Sequence, residues 1–169
     1  MPEGVRLVVG RRLERLSEAT QALLTAAAVV GRRFDLTLVE ALSGLDGEAF
    51  LAAIEEAEAA KLIASERAGR ETTYVFTHEL VRSTLLGALS LPRRQRLHAR
   101  VAEPIEAVFA PDPSVHASAL ARHLYEAGAA ADETKTIRYL TLAADQALEA
   151  GAFGRVPQRR AGAVARAGR

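Results

Sequence analysis

The stretch Tyr74-Val-Phe-Thr-His-Glu-Leu-Val-Arg-Ser-Thr-Leu-Leu86 constrains the fold most, because the period of the apolar residues changes inside it. Before it, Leu62-Ile63-Ala64-Ser65 and Thr72-Thr73-Tyr74-Val75-Phe76 are β-prone runs separated by a loop containing Gly69, the pattern of a two-stranded hairpin. After it, Leu80, Val81, Leu85, Ala88 and Leu89 recur at helical spacing. The chain therefore leaves a ladder and enters a helix within a few residues, as at a hinge between two packing units. Thr77 is placed to cap the new helix by offering its side-chain oxygen to an orphan N–H of the first turn. His78 then opens that helix. A helix N-terminus carries partial positive charge and free N–H groups, so an imidazole there is positioned to help hold an anion such as a phosphate. The same position also fits a histidine simply packed at a junction.

Upstream of the hairpin the pattern is helical. Pro2 to Leu16 reads as a helix with Val5, Val8, Val9, Leu13 and Leu16 along one side. Ser17 caps a second helix over 18–30, ended by Gly31, and Phe34 is an apolar anchor. Asp35 caps a short helix stopping at Ser43-Gly44, and Asp46 caps a fourth with Phe50, Leu51, Ile54 and Ala57 inward. Helices, then a two-stranded hairpin, then another helix is the order of a winged-helix domain, assigned to residues 1–90.

The segment 91–153 keeps the helical period. Pro92 suits the first turn of a helix carrying Leu97, Val101, Ile105, Val108 and Phe109 inward, with a kink or break expected at Pro104. Helices from Ser114 to Ala127 and from about Asp132 to Ala150 follow, with Ala117, Leu120, Ala121 and Leu124 expected to face Ile137, Leu140, Ala144 and Leu148. This is the small-and-large pattern of stacked tetratricopeptide-like pairs, and its last face is left open. The fold class is thus mainly α: a winged helix followed by antiparallel α-hairpins of a helical-repeat type. From 154 to 169 the residues are Arg, Ala and Gly with no large apolar group beyond two valines, which reads as a disordered tail.

Charge decides which functions this order permits. The tail holds Arg155, Arg159, Arg160, Arg166 and Arg169 with no acid, so the formal charge of +1 conceals a net acidic remainder. In a DNA-binding winged helix the helix before the hairpin enters the major groove and needs Lys or Arg. Here that helix spans Asp46 to Lys61 with Asp46, Glu48, Glu55, Glu56 and Glu58 against a lone Lys61. Arg67 and Arg70 at the hairpin tip are the candidate DNA contacts, and they do not offset that face. Duplex DNA is disfavoured as a partner.

Catalysis has no support in the residue pattern. There is no G-x-x-x-x-G-K-[ST] phosphate loop, no Cys, and no ligand spacing among His78, His98, His116 and His123 that marks a metal site. His116 and His123 are seven apart and could share a helix face, but two ligands are too few. No apolar run reaches a membrane span and the first residues are not those of a signal peptide, so a cytoplasmic location is expected.

Arg11-Arg-Leu-Glu-Arg-Leu-Ser17, Ala26-Ala-Ala-Val-Val-Gly31-Arg-Arg-Phe34, Phe76-Thr-His-Glu-Leu-Val-Arg82 and Arg94-Gln-Arg-Leu-His98, in this order of elements, carry a resemblance. Over about residues 2 to 153 the chain resembles the region that follows the ATPase core in signal-transduction ATPases with numerous domains (STAND ATPases). These include LuxR-type transcriptional regulators and ATPase-bearing relatives of adenylate cyclases. Ala121-Arg-His-Leu-Tyr125 and Tyr139-Leu-Thr-Leu-Ala-Ala144 resemble the opening of the helical-repeat sensor arm of the same proteins.

The resemblance implies a winged helix packed on a nucleotide-binding core, with a histidine of a Met-His-Asp-like motif reaching the phosphates of bound ADP in the closed, inactive state. The matching positions are Thr77, His78 and Glu79, of which Thr77 and Glu79 depart from Met and Asp. His78 is the expected ADP-phosphate contact in a full-length protein, and Phe76, Thr77, Glu79 and Arg82 are the expected hinge and interface. No cofactor is expected in this segment alone; ADP or ATP belongs to the full-length context. The expected partners are an upstream ATPase core of the same protein and a protein, or a second copy of the chain, on the open repeat edge near Tyr139 to Leu148. A free-standing helical interaction module is the alternative reading, and a winged-helix DNA binder a third.

Overall fold

The computed structural model describes residues 3–68, 71–108 and 112–153. Five helices and three short strands come first: α1 (Glu3–Leu13), α2 (Glu18–Val30), β1 (Arg33–Phe34), α3 (Leu36–Ser43), α4 (Gly47–Ala59), β2 (Ile63–Ala68), β3 (Glu71–Phe76) and α5 (Glu79–Ala88). Three more helices follow, α6 (Leu91–Val108), α7 (Ala117–Ala127) and α8 (Glu133–Phe153), with 3-10 turns at Pro113–His116 and Gly128–Ala130. Among the described residues the architecture is mainly helical with one small antiparallel sheet.

Local chemistry explains where the early helices start. Ser17, Asp35 and Asp46 each accept a backbone N–H of the following first turn, from Thr20 (3.2 Å), Thr37 (2.7 Å) and Ala49 (2.9 Å). α4 ends in a left-handed residue, Lys61 at φ 53°, with Leu62 N–H donating to Ala57 O (3.0 Å) and Lys61 N–H to Glu58 O (2.8 Å). These are the two bonds of a Schellman cap, which ordinarily has glycine at this position. Glu56, on the outer side of α4, reaches back to cap α2: it accepts from Ser17 N–H (3.1 Å), Ser17 Oγ (2.6 Å) and the Thr20 hydroxyl. Those bonds, from the Ser17 hydroxyl first and Thr20 second, hold the Glu56 carboxyl below the usual carboxylate range.

The sheet is three-stranded rather than the two-stranded hairpin expected. β3 lies in the centre, with β2 paired along its length and β1 pairing Arg33 with Val75 and Phe34 with Tyr74. Two residues between helices carry no alternation, so β1 has no periodic signature; Phe34 is fixed by its rings, 6.1 Å from Tyr74 and 5.6 Å from Phe76. The main core gathers Leu23, Leu24, Val29, Val39, Leu62 and Phe76 between α2, α3, α4 and the sheet.

Further expectations are corrected. α1 stops at Leu13 instead of Leu16, and Val8 of α1 and Leu51 of α4, both expected inward, are exposed. α6 runs through Pro104 as a single assigned helix, with Val101 and Ile105 buried on either side of it; Val108's side chain and Phe109 lie outside the described residues. In the hairpin of α7 and α8, the α7 stripe Ala117, Leu120, Ala121 and Leu124 is buried as expected, but α8 is turned. Tyr139 is buried and Leu142 and Ala143 pack against the core, while Ile137, Leu140 and Leu148 are exposed. The Tyr139 hydroxyl donates to Glu106 Oε1 of α6 (2.8 Å), and Lys135 pairs with the same carboxylate. An aromatic ring with a satisfied hydroxyl outweighs the aliphatic stripe in choosing the inner face.

Candidate functional site

The period change at residues 74–86 is built as follows. Phe76 is fully buried, donates its N–H to Arg32 O (3.0 Å), and closes β3 at the centre of the sheet. Thr77 follows, but its hydroxyl does not cap α5. It donates to Lys61 O (2.8 Å) and lies 3.2 Å from Leu62 O, and its N–H donates to Leu62 O (3.0 Å). The carbonyls at the end of α4 take the hydroxyl because Lys61 and Leu62 lie beside the strand end. His78 is the N-cap of α5, with extended backbone and no side-chain capping bond, and it is exposed.

One turn into α5 the chemistry becomes denser. Glu79 accepts from Arg82 (2.8 Å), placing an acid at the positive end of the helix, and Arg82 Nε donates to Ala28 O (3.0 Å) in the last turn of α2. Arg122 of α7 donates to Val30 O, two residues further on (2.6 Å). α2 has no basic residue in its own last turn, so α5 and α7 supply the cations that its C-terminal carbonyls attract. This joint ties the first packing unit to the helical hairpin. The expected site residues therefore divide: His78, Glu79 and Arg82 share the start of α5, whereas Phe76 is core and Thr77 is pinned to the α4 end. Arg67 is exposed in β2 opposite Thr72, and Arg70 lies outside the described residues.

The joint also contains a pair that the sequence reading did not find. His98 of α6 and His123 of α7 are buried with their Nδ1 atoms 3.0 Å apart, and His123 Nε2 lies 2.8 Å from Arg122 Nη2. The two Nδ1 atoms share one proton, so one ring donates and the other accepts, the roles depending on the tautomer, and the pair is not doubly charged. Burial first, then Arg122 and His98, push His123 down to about 3, against the Val30 carbonyl. Burial likewise pushes His98 down to about 4, with Arg122, Arg94 and Arg82 adding to it and Glu126 opposing. The available signal was phase: His98 lies three before Val101, and His123 three after Leu120 and four before Ala127, all on buried stripes.

Among the described residues no group of three or more His, Asp or Glu side chains could hold a metal ion, and no helix is long and apolar enough to cross a membrane. Exposed apolar side chains collect instead on α8, at Ile137, Leu140 and Leu148, beside Tyr125 of α7. Of these, Tyr125 and Ile137 border a groove of about 440 Å³ together with Leu124 and Ala131. No protein-family model, curated protein or solved structure matches the chain.

Proposed function

We propose that the chain is a non-catalytic regulatory segment of a STAND-type ATPase, coupling the nucleotide state of an ATPase core to a sensor or output region. Three features support this reading. The element order helix, strand, helix, helix, strand, strand, with β3 central, is compatible with a winged helix. α6 packs on α7 and α7 on α8 in chain order, a succession compatible with helical repeats. The observation that carries the reading is His78, exposed at the start of α5 with its side chain unspent on capping, one turn from the Arg82 clamp on α2. In this scheme His78 contacts the phosphates of ADP held by the core. Phe76 stays fixed in the sheet, and the chain re-orients beyond it, at Thr77 and His78. The test is association with an ATPase core encoded with this chain: ADP tightens binding of the wild type, and His78→Ala removes that effect while leaving its helical circular dichroism unchanged.

The exposed stripe of Ile137, Leu140 and Leu148 favours a second reading, a helical interaction module that docks a partner helix or a second copy there. Under it, nucleotide has no effect and Ile137→Glu abolishes association. DNA binding is the weakest reading: the exposed face of α4 presents Glu48 and Glu55 with no Lys or Arg in the helix, and Arg67 alone stands on the described part of the hairpin.

A further inference from the structure

A second cleft lies away from His78, where α2 and α6 run past the end of α3. Its volume is about 400 Å³, within the range of small-molecule sites. α2 contributes Glu18, Gln21, Ala22, Thr25 and Ala26, the single helical face generated by steps of three and four. α6 contributes Arg93, Leu97 and Arg100, also one face, with the two guanidinium stems about 10 Å apart along the axis. Leu42, Leu89 and Leu97 give the floor an apolar component.

The polar groups around this floor are unequally committed. Gln21 Nε2 donates to Leu16 O (3.0 Å) and the Thr25 hydroxyl to Gln21 O (2.7 Å), which leaves acceptor capacity but few donors. Arg100 spends one Nη2 bond on Leu42 O (3.3 Å), and among the described residues Arg93 forms no ion pair. Against these two guanidinium groups the cleft has a single carboxylate, Glu18, so its lining is positive by one charge. An apolar floor below two arginines and net single positive charge matches a small monoanion with an apolar body.

We infer that this cleft binds a small organic monocarboxylate, its carboxylate between Arg93 and Arg100 and its apolar body against Leu97 and Ala26. The site joins α2 and α3 to α6, so occupancy braces the first packing unit against α6 and supplies an input separate from nucleotide. It does not depend on the role proposed for His78.

The probe is 4-phenylbutanoate, titrated into the full chain and followed by amide chemical shifts, with 4-phenylbutanol and inorganic phosphate in parallel. Residues 18–26, 42–43 and 93–100 are expected to shift saturably with the carboxylate, and about tenfold less readily with the alcohol, which loses a charge-assisted contact, or with phosphate, which loses the apolar body. Arg93→Gln should weaken binding by about the same factor. Ala22→Leu, at an exposed helical position, should fill the cleft and abolish binding without unfolding the chain. The inference is overturned if 4-phenylbutanoate does not bind or shifts only residues of α8. Equal binding of the alcohol or of phosphate, or binding undiminished by Ala22→Leu, overturns it as well.

Discussion

Acidification from pH 7 to pH 5 should destabilise the fold by about 4 kcal/mol through His98 and His123 alone. The folded values of about 4 and about 3 lie below the ordinary histidine value of 6.5 from which both are lowered. Between these limits the unfolded chain binds protons that the folded chain refuses, so stability is complete above about pH 6.5 and declines as pH falls. Each histidine contributes a slope of about 1.4 kcal/mol per pH unit until its folded value is reached, below which the slope vanishes. The loss at pH 5 approaches the lower end of the total stability of folded domains, about 5 to 15 kcal/mol. The charges facing the pair do not reverse the sign: Glu126 alone favours a charged His98, against Arg82, Arg94 and Arg122. Glu56 is outside this window, because its carboxyl is depressed and its contribution is lost only as pH falls below the usual carboxylate value. Urea unfolding followed by circular dichroism at pH 7, 6 and 5 measures the slope. In a His98→Leu, His123→Leu double variant, where Arg122 keeps Val30 O, most of the decline between pH 6.5 and 4.5 should vanish. A double variant that declines in parallel with the wild type, or a protonated imidazole at either position at pH 5, would refute the reasoning.

Other substitutions probe the joints individually. Ser17→Ala should cost about 1 kcal/mol as a lost N-cap, and Glu56→Gln a similar amount. Together they should cost less than the sum, since both groups share one network; a double-mutant cycle in urea measures the coupling. Lys61→Gly should stabilise by about 0.5 to 1 kcal/mol, because Lys61 holds φ 53° in a Schellman cap, and no change in the urea midpoint would argue against that conformation. Ile137→Glu should leave thermal stability within about 0.5 kcal/mol, as an exposed position, and a large drop in melting temperature would place Ile137 in the core.

What was legible in the sequence was what short-range chemistry determines. Ser17, Asp35 and Asp46 announce their helices because a capping side chain acts within three residues of itself, and the hairpin follows from β-prone runs around Gly69. The misread features depend on neighbours distant in sequence. Thr77 has the right side chain for a cap, but the Lys61 carbonyl, sixteen residues earlier, competes for it. α8 carries apolar groups on two faces, and Glu106 on another helix selects the one bearing Tyr139. His98 and His123 stood on apolar stripes that could be read, yet their pairing required knowing that α6 and α7 pack antiparallel. For the candidate site, His78 at the head of α5 was legible; the Arg82 and Arg122 clamps on α2, 54 and 92 residues away, were not.

Hydrogen exchange at the amides of Glu79 to Arg82, measured in the complex with an ATPase core before and after ADP is added, tests the central claim most directly. If His78 and the first turn of α5 meet the nucleotide, ADP slows exchange there in the wild type and not in His78→Ala. If those amides are unchanged while residues 137–148 of α8 become protected on mixing, with or without ADP, the chain is an interaction module and the nucleotide-coupled account is wrong.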